Sequence, residues 1–353
     1  MPHPRRRLTF EDWPAIDREL WERATRSADL LDEPGLAAHW KAKTRHSVST
    51  RYALWLGWLR DQGLLDPNQA PAARVTRVRL AQYVQHLRSN RSSPTTVAGR
   101  IRDLREAIRV MQPKADLLDL TNLLSRLDAV AEPTRQKRTR IVSPAALVDA
   151  AIVELKKQHT AFDRLPSRPT AGRFRDALIV AFLAMRPVRL ENLGAMTIDR
   201  HLIKRGDQYW CFFGKNETKD SRLLEFCIPQ TLTSWFDLYL TEHRPLLLRG
   251  TKSSRVWISI RATPMVDNSI YYRVTASTNR LIGRRINPHL FRDCATTFIA
   301  EQDPEHIRIV ANILGHATLK TSEQHYNHAS TLSVHERYLN ALSELRSGAP
   351  ELC

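Results

Sequence analysis

The chain has 353 residues, enough for two domains with cores of their own, and carries 54 Lys+Arg against 37 Asp+Glu for a formal net charge of +17. That excess favours a polyanionic partner, because each phosphate neutralised releases a condensed counterion, and arginine, the commoner cation here, suits bidentate phosphate contacts. Four cysteines without C-x-x-C pairing speak against a zinc or disulfide framework, the start lacks a signal-peptide core, and the longest apolar run, Ala177 to Met185, is far short of a membrane span, so a soluble cytoplasmic protein with no membrane partner is expected.

Residues 1–42 read as an extension of mixed charge, rich in tryptophan, with one or two short helices and no readable role. From Ser47 the pattern turns helical: Val48, Tyr52, Trp55 and Leu59 recur at three- and four-residue spacing, and Gly63 is a stop. A second helix is predicted near Arg79–Leu87. A third starts after Ser93-Pro94, a capping serine and a first-turn proline, and carries Val97, Ile101, Leu104, Ile108 and Met111 on one face. A fourth spans about Asn122 to Ala131. Residues 43–132 are thus a small all-helical module. Lys43, Arg45, Arg51, Arg100, Arg102 and Arg105 flank its helices and are candidate phosphate contacts, although such residues occur equally on any solvated face. A true phosphate contact would contribute about one to the salt slope of binding.

Residues 133–142 hold a basic stretch without apolar periodicity, including Arg135, Lys137 and Arg138, and read as an interdomain linker able to lie along a polyanion. A larger domain, 143–345, opens with a helix at Pro144–Lys157 and a buried helix at Phe174–Met185. The β signal is confined to Gln208–Phe213 and Leu223–Ile228 around a turn-rich Gly214–Ser221. Helices are predicted at Leu232–Glu242, Ile270–Ala276, His289–Glu301, Glu305–Leu314, Leu319–Tyr326 and Val334–Leu345, with a short tail at 346–353.

Chemistry concentrates near the C-terminus. His289 and Arg292, three apart at a helix start after Asn287-Pro288, share one face. Leu314-Gly315-His316 presents a histidine just past a helix end, and Tyr326 follows ten residues later on a short helix. Each alone is commonplace: a surface His and Arg, or a packing tyrosine. Together, an arginine that neutralises phosphate, histidines that share protons and a phenol are what a metal-free attack on a phosphodiester requires. His316, His325 and His328 lack a carboxylate or cysteine to complete a metal set, so no metal site and no cofactor are expected.

The segment Asn287-Pro288-His289-Leu290-Phe291-Arg292-Asp293 through Leu314-Gly315-His316 to Tyr326 resembles the C-terminal signature of the tyrosine recombinase (phage integrase) family. The resemblance covers about residues 43–345, in the N-terminal module by architecture only. It implies a mainly α fold: a helical core-binding (SAM-like) domain at 43–132 and a mostly helical catalytic domain with a small antiparallel β-sheet at 143–345. It also implies two further residues. Arg189, in Met185-Arg186-Pro187-Val188-Arg189, matches the first arginine better than Arg186, because Leu190 and Leu193 resume helical register after it. Lys219 matches the hairpin lysine better than Lys215.

On that resemblance Arg189 and Arg292 stabilise the phosphorane, His289 assists deprotonation of the nucleophile Tyr326, Lys219 protonates the leaving 5′ oxygen and His316 hydrogen-bonds the phosphate. The implied reaction is site-specific recombination of double-stranded DNA through a 3′-phosphotyrosyl intermediate, integrating or excising a mobile element. Paired sites would be held by a homotetramer, with the helix at 334–345 docking in trans, in a prokaryotic, nucleoid-associated setting. Two other readings stand beside it: a type IB topoisomerase-like enzyme and a non-catalytic DNA-binding accessory protein. Three departures from the family pattern are visible: Asn192 stands where an acidic residue is frequent, Asp293 where a histidine is frequent, and the interval from His316 to Tyr326 is one residue longer than in many relatives.

Overall fold

The computed structural model describes residues 7–27, 33–130, 140–218, 223–302, 339–340 and 342–343. The chain divides into two compact units, Met1–Gln136 and Lys137–Cys353.

The first unit contains helices α1 (Ala15–Thr25), α2 (Ala42–Asp61), α3 (Arg77–Ser89), α4 (Pro94–Met111) and α5 (Leu118–Ala129). Each predicted stripe is buried: Val48, Tyr52, Trp55 and Leu59 on α2, and Val97, Ile101, Leu104, Ile108 and Met111 on α4. Gly63 closes α2 with a left-handed φ of +68°, a conformation that costs a residue without Cβ nothing. Ser93 accepts the Thr96 N–H at 3.2 Å and Pro94 opens the helix, as the capping signal implies.

The segment before residue 43, set apart in the sequence as an extension, packs into this same core through Leu8, Trp13, Trp21 and Ala37. Its anchor is electrostatic. Arg74 donates from Nη1 to both oxygens of Asp17, at 2.7 and 2.8 Å, and the Tyr52 hydroxyl donates to the same carboxylate. Both partners of the ion pair are fully buried. Burial, reinforced by Asp17, pushes the Tyr52 phenol well up from its usual value, so it remains a donor.

The second unit is arranged around α7 (Arg168–Met185), in which every residue from Ala171 onward except Arg173 is buried. A helix apolar on all sides needs partners all round. They are α6 (Pro144–Arg164), α9 (Gln230–Leu238), a π-helical turn (Tyr239–His243), α10 (Arg244–Leu248), α11 (Asp267–Ile282) and α12 (Pro288–Gln302). Its buried charges are paired: Asp176 accepts from Arg175 Nε at 3.0 Å and from Arg273 Nε at 2.8 Å.

A three-stranded antiparallel sheet, β1 (Leu202–Arg205), β2 (Gln208–Phe213) and β3 (Leu224–Cys227), runs in chain order. β2 and β3 are the predicted pair, in register Phe213↔Leu224 to Trp210↔Cys227. β1 is an addition to the predicted elements, joined to β2 by the two-residue turn Gly206-Asp207, with Gly206 at φ +57°. Leu202, Tyr209, Cys211, Phe213 and Phe226 enter the core. The fold is mainly α with one small antiparallel sheet. Among the described residues, no helix is long and apolar enough to cross a membrane.

Candidate active site

The first element of the site is the turn after α7. The helix stops at Met185 because Pro187 lacks an N–H and disfavours helical backbone in the residue before it. The Arg186 N–H still reaches Phe182 O at 2.7 Å, the Val188 N–H folds back to Arg186 O at 2.7 Å, and Arg189 becomes the N-cap of α8 (Leu190–Ala195).

The two arginines of this turn occupy different environments. Arg186 is 2% exposed; its Nε donates to Cys227 O on β3 at 3.2 Å, and its guanidinium lies 5.8 Å from the Phe226 ring centre. It ties the turn to the sheet. Arg189 is half-buried at the start of α8, where the chain resumes its helical course.

The second element is the first turn of α12. The Asn287 side-chain oxygen accepts the Leu290 N–H at 3.0 Å and caps the helix. Leu290, Phe291, Cys294, Ala295 and Phe298 turn inward, which fixes the rotation of the helix. His289 is thereby exposed, whereas Arg292, one turn later, is 5% exposed. Arg292 Nη1 donates to Pro187 O at 2.8 Å. The arginine of α12 therefore holds the turn that carries Arg189, although the two segments are far apart in the sequence. Cys294 also receives the Val142 N–H at 3.5 Å, fastening the start of this unit to α12; burial pushes its thiol up from the ordinary value.

The third element is the β2–β3 turn. It begins with a short 3₁₀ segment, Lys215–Glu217, in which Lys215 is exposed. Buried Asn192 on α8 donates from its amide to Glu217 O at 3.3 Å, joining the helix of Arg189 to this turn. Asn192 thus has a hydrogen-bonding task at the position where the family pattern often has an acid.

Glu217 gathers further partners. Its carboxylate accepts the Gly214 N–H at 2.8 Å, lies 3.1 Å from His201 Nε2 and receives a hydrogen bond from Arg200. The Gly214 bond first, then His201 and Arg200, outweigh partial burial and hold this carboxyl below its usual range. His201 is 3% exposed, with Nδ1 2.7 Å from Thr197 Oγ1. No spacing or motif marks His201, Glu217 or Asn192 for this task; only the three-residue interval from Gly214 to Glu217 hints at a local bond.

Three loci therefore stand in series: α12 to the Pro187 turn, that turn to α8, and α8 to the β2–β3 turn. Lys219, His316 and Tyr326 lie outside the described residues, as do Arg135, Lys137 and Arg138, the helices expected at Glu305–Leu314 and Leu319–Tyr326, and most of the 334–345 helix.

Comparison with known proteins gives the family. The sequence profile described as the phage integrase family matches residues 158–332. The tyrosine recombinase XerD of Chlorobaculum tepidum is 24% identical over 322 residues, covering 90% of this chain and 95% of that protein.

The chain belongs to the tyrosine recombinase (phage integrase) family. It is a tyrosine-type site-specific recombinase by class. Two solved structures share its fold. The Tn1549 transposon integrase in complex with transposon right-end DNA covers 94% of the recombinase with a TM-score of 0.52 at 13% identity, itself covered to 99%. The XerH site-specific recombinase in its pre-cleavage complex with difH substrate covers 99% with a TM-score of 0.50 at 14% identity, itself covered to 100%.

In the recombinase's first unit the candidate phosphate contacts have partners within the protein. Arg45 donates from Nε to Trp40 O at 3.1 Å, bracing the loop before α2. Arg51 pairs with Asp103, and Arg102 contacts both oxygens of Asp128 at 2.8 and 3.0 Å. Arg105 pairs with Glu106 at 3.2 Å. Arg100 is half-buried beside Tyr83, whose phenol is raised by burial against the opposing pull of that arginine. Lys43 is exposed at the start of α2. Arg51 and Arg102 would have to exchange a carboxylate for a phosphate on binding a polyanion, at low cost for the exposed Arg102–Asp128 pair and at more for Arg51, whose partner Asp103 is part-buried.

Proposed function

We propose that this recombinase cleaves and rejoins double-stranded DNA through a covalent 3′-phosphotyrosyl intermediate, and that it integrates or excises a mobile element. The observation that carries the reading is the Arg292–Pro187 hydrogen bond, which couples two arginine-bearing segments that the family's chemistry requires at one phosphate. The transposon integrase among the related folds supports the mobile-element setting.

In this reading the Tyr326 phenol oxygen attacks the scissile phosphorus and its proton passes toward His289. The bond from phosphorus to the 5′ oxygen breaks, and Lys219 supplies that oxygen with a proton. Arg189 and Arg292 face the equatorial phosphate oxygens, where planar guanidinium forks stabilise the extra negative charge of the transition state; His316 donates to the same phosphate. A phenol with an ordinary value near 10 needs such a cationic surround to react at neutral pH. Because one ester replaces another, a second 5′ hydroxyl can reverse the step on a new partner without ATP or any other cofactor.

The basic residues of the first unit and of 133–142 would hold the duplex, consistent with the net charge of +17. A homotetramer would pair two sites, with the 334–345 helix docking in trans, in the cytoplasm at the nucleoid.

The test is a two-site plasmid assay with DNA from the flanks of the native locus. Recombinant product with the wild-type protein and none with Tyr326→Phe is expected. Covalent attachment to DNA without recombinant product would contradict the recombination step, and full activity of Tyr326→Phe would contradict the assigned nucleophile.

A further inference from the structure

Elsewhere in the second unit, α6 and the π-helical turn bring together three side chains of metal-ligand type. His159 on α6, with Glu242 and His243 on the turn, each offer one ligand atom, and all three atoms lie within 4.8 Å of one another. The turn is closed by the Arg244 N–H donating to Tyr239 O, a five-residue step. Single π turns inside α-helices occur frequently at functional sites.

His243 is the informative member. It is 0% exposed, stacks on Phe174 with ring centres 3.8 Å apart and leans on Phe162 at 4.1 Å. Neither of its ring nitrogens has a hydrogen-bond partner. A neutral imidazole carries one donor and one acceptor, and core histidines ordinarily satisfy at least one of them. His159 Nδ1 is likewise buried without a hydrogen-bond partner, the nearest carboxylate oxygen, Asp163 Oδ1, being 3.6 Å away.

We propose that His159, Glu242 and His243 bind one divalent transition-metal ion, with zinc the best match. Two imidazoles and one carboxylate suit a cation of borderline softness and disfavour magnesium and calcium, which prefer all-oxygen surrounds. Glu242 is exposed, so water can complete the coordination. Tetrahedral zinc would draw its ligand atoms to roughly 3.3 Å apart, a contraction that requires side-chain shifts of His159 as well as of Glu242. The ion fastens α6 to the turn between α9 and α10. None of its three ligands is a residue assigned to the strand-exchange chemistry.

The experiment is metal binding to the full chain after chelator treatment, by equilibrium dialysis against zinc and by cobalt absorption spectra. Wild type, His243→Phe, His159→Gln and Glu242→Gln are compared. The phenylalanine keeps the ring stack with Phe162 and Phe174, and His159→Gln serves if that core variant fails to fold. Wild type is expected to bind one ion with a tetrahedral cobalt spectrum and to unfold at a higher temperature with zinc. The first two variants should lose both effects, and Glu242→Gln should bind about tenfold or more weakly. Absence of stoichiometric binding by wild type, or equal binding by wild type and both histidine variants, overturns the proposal. The second outcome would place the ion on other histidines, such as His316, His325 and His328.

Discussion

Arg292 reaches from α12 to the backbone carbonyl of Pro187 at 2.8 Å, so one side chain of the candidate site sets the position of the turn that carries another, Arg189. A carbonyl left buried without its charged donor is costly, and a lysine in place of the guanidinium cannot offer a planar fork to carbonyl and phosphate at once. Arg292→Lys is therefore expected to fold but to cleave a nicked DNA substrate about 10²–10³-fold more slowly in single turnover. Cleavage within a fewfold of wild type would disconnect Arg292 from the reacting phosphate.

Arg186 and Arg189 should separate cleanly. Arg186 is packed against β3 through Cys227 O and the Phe226 ring, so Arg186→Ala is expected to lower unfolding stability by about 2–3 kcal/mol, the range for a buried carbonyl that loses its charged donor. Arg189→Ala should unfold within about 1 kcal/mol of wild type and lose cleavage. Denaturant titration alongside a cleavage assay compares the two. The reverse pattern would make Arg186 the functional arginine.

Much of this architecture is legible in the sequence. The stripes of α2 and α4, the capping at Ser93-Pro94, the buried α7 and the β2–β3 pair follow from periodicity and capping chemistry. β1 does not stand out, because Leu202-Ile203-Lys204-Arg205 is short and half cationic, and its signal lies in the Gly206-Asp207 turn. The place of the N-terminal segment is set by Asp17 meeting Arg74 and Tyr52 across long sequence separations, which no local pattern encodes. His289 and Arg292 are recognisable by their spacing and order. The bond from Arg292 to Pro187, and the Asn192 amide beneath Glu217, depend on tertiary packing and become visible only in the folded chain.

The Asp17–Arg74 pair provides a stability test of the first unit. Both side chains are fully buried, so removing one leaves the other uncompensated. Asp17→Ala should destabilise that unit by about 3–5 kcal/mol, whereas removing both charges in Asp17→Ala/Arg74→Met should cost less than the sum of the single changes. A double-mutant cycle by chemical denaturation measures this. Additive effects would mean that the two residues do not act as a pair.

Glu217 gives the β2–β3 turn a pH dependence of definite sign. Its folded value lies below the ordinary 4.5, so its contribution is complete above about pH 4.5 and is lost as pH falls through the lower folded value. Amide exchange in residues 214–218 should be slower in wild type than in Glu217→Gln at neutral pH. The difference should shrink on acidification beneath that range. A difference that grows on acidification would contradict the assigned network of Gly214, His201 and Arg200.

The most direct measurement is the site of covalent attachment. The full chain is incubated with a nicked duplex of its own recombination site, digested with protease, and searched by mass spectrometry for a peptide bearing a nucleotide 3′-phosphate. That phosphate is expected on Tyr326, with no adduct from Tyr326→Phe. An adduct on any other residue, or the same adduct yield from Tyr326→Phe, would contradict the assignment.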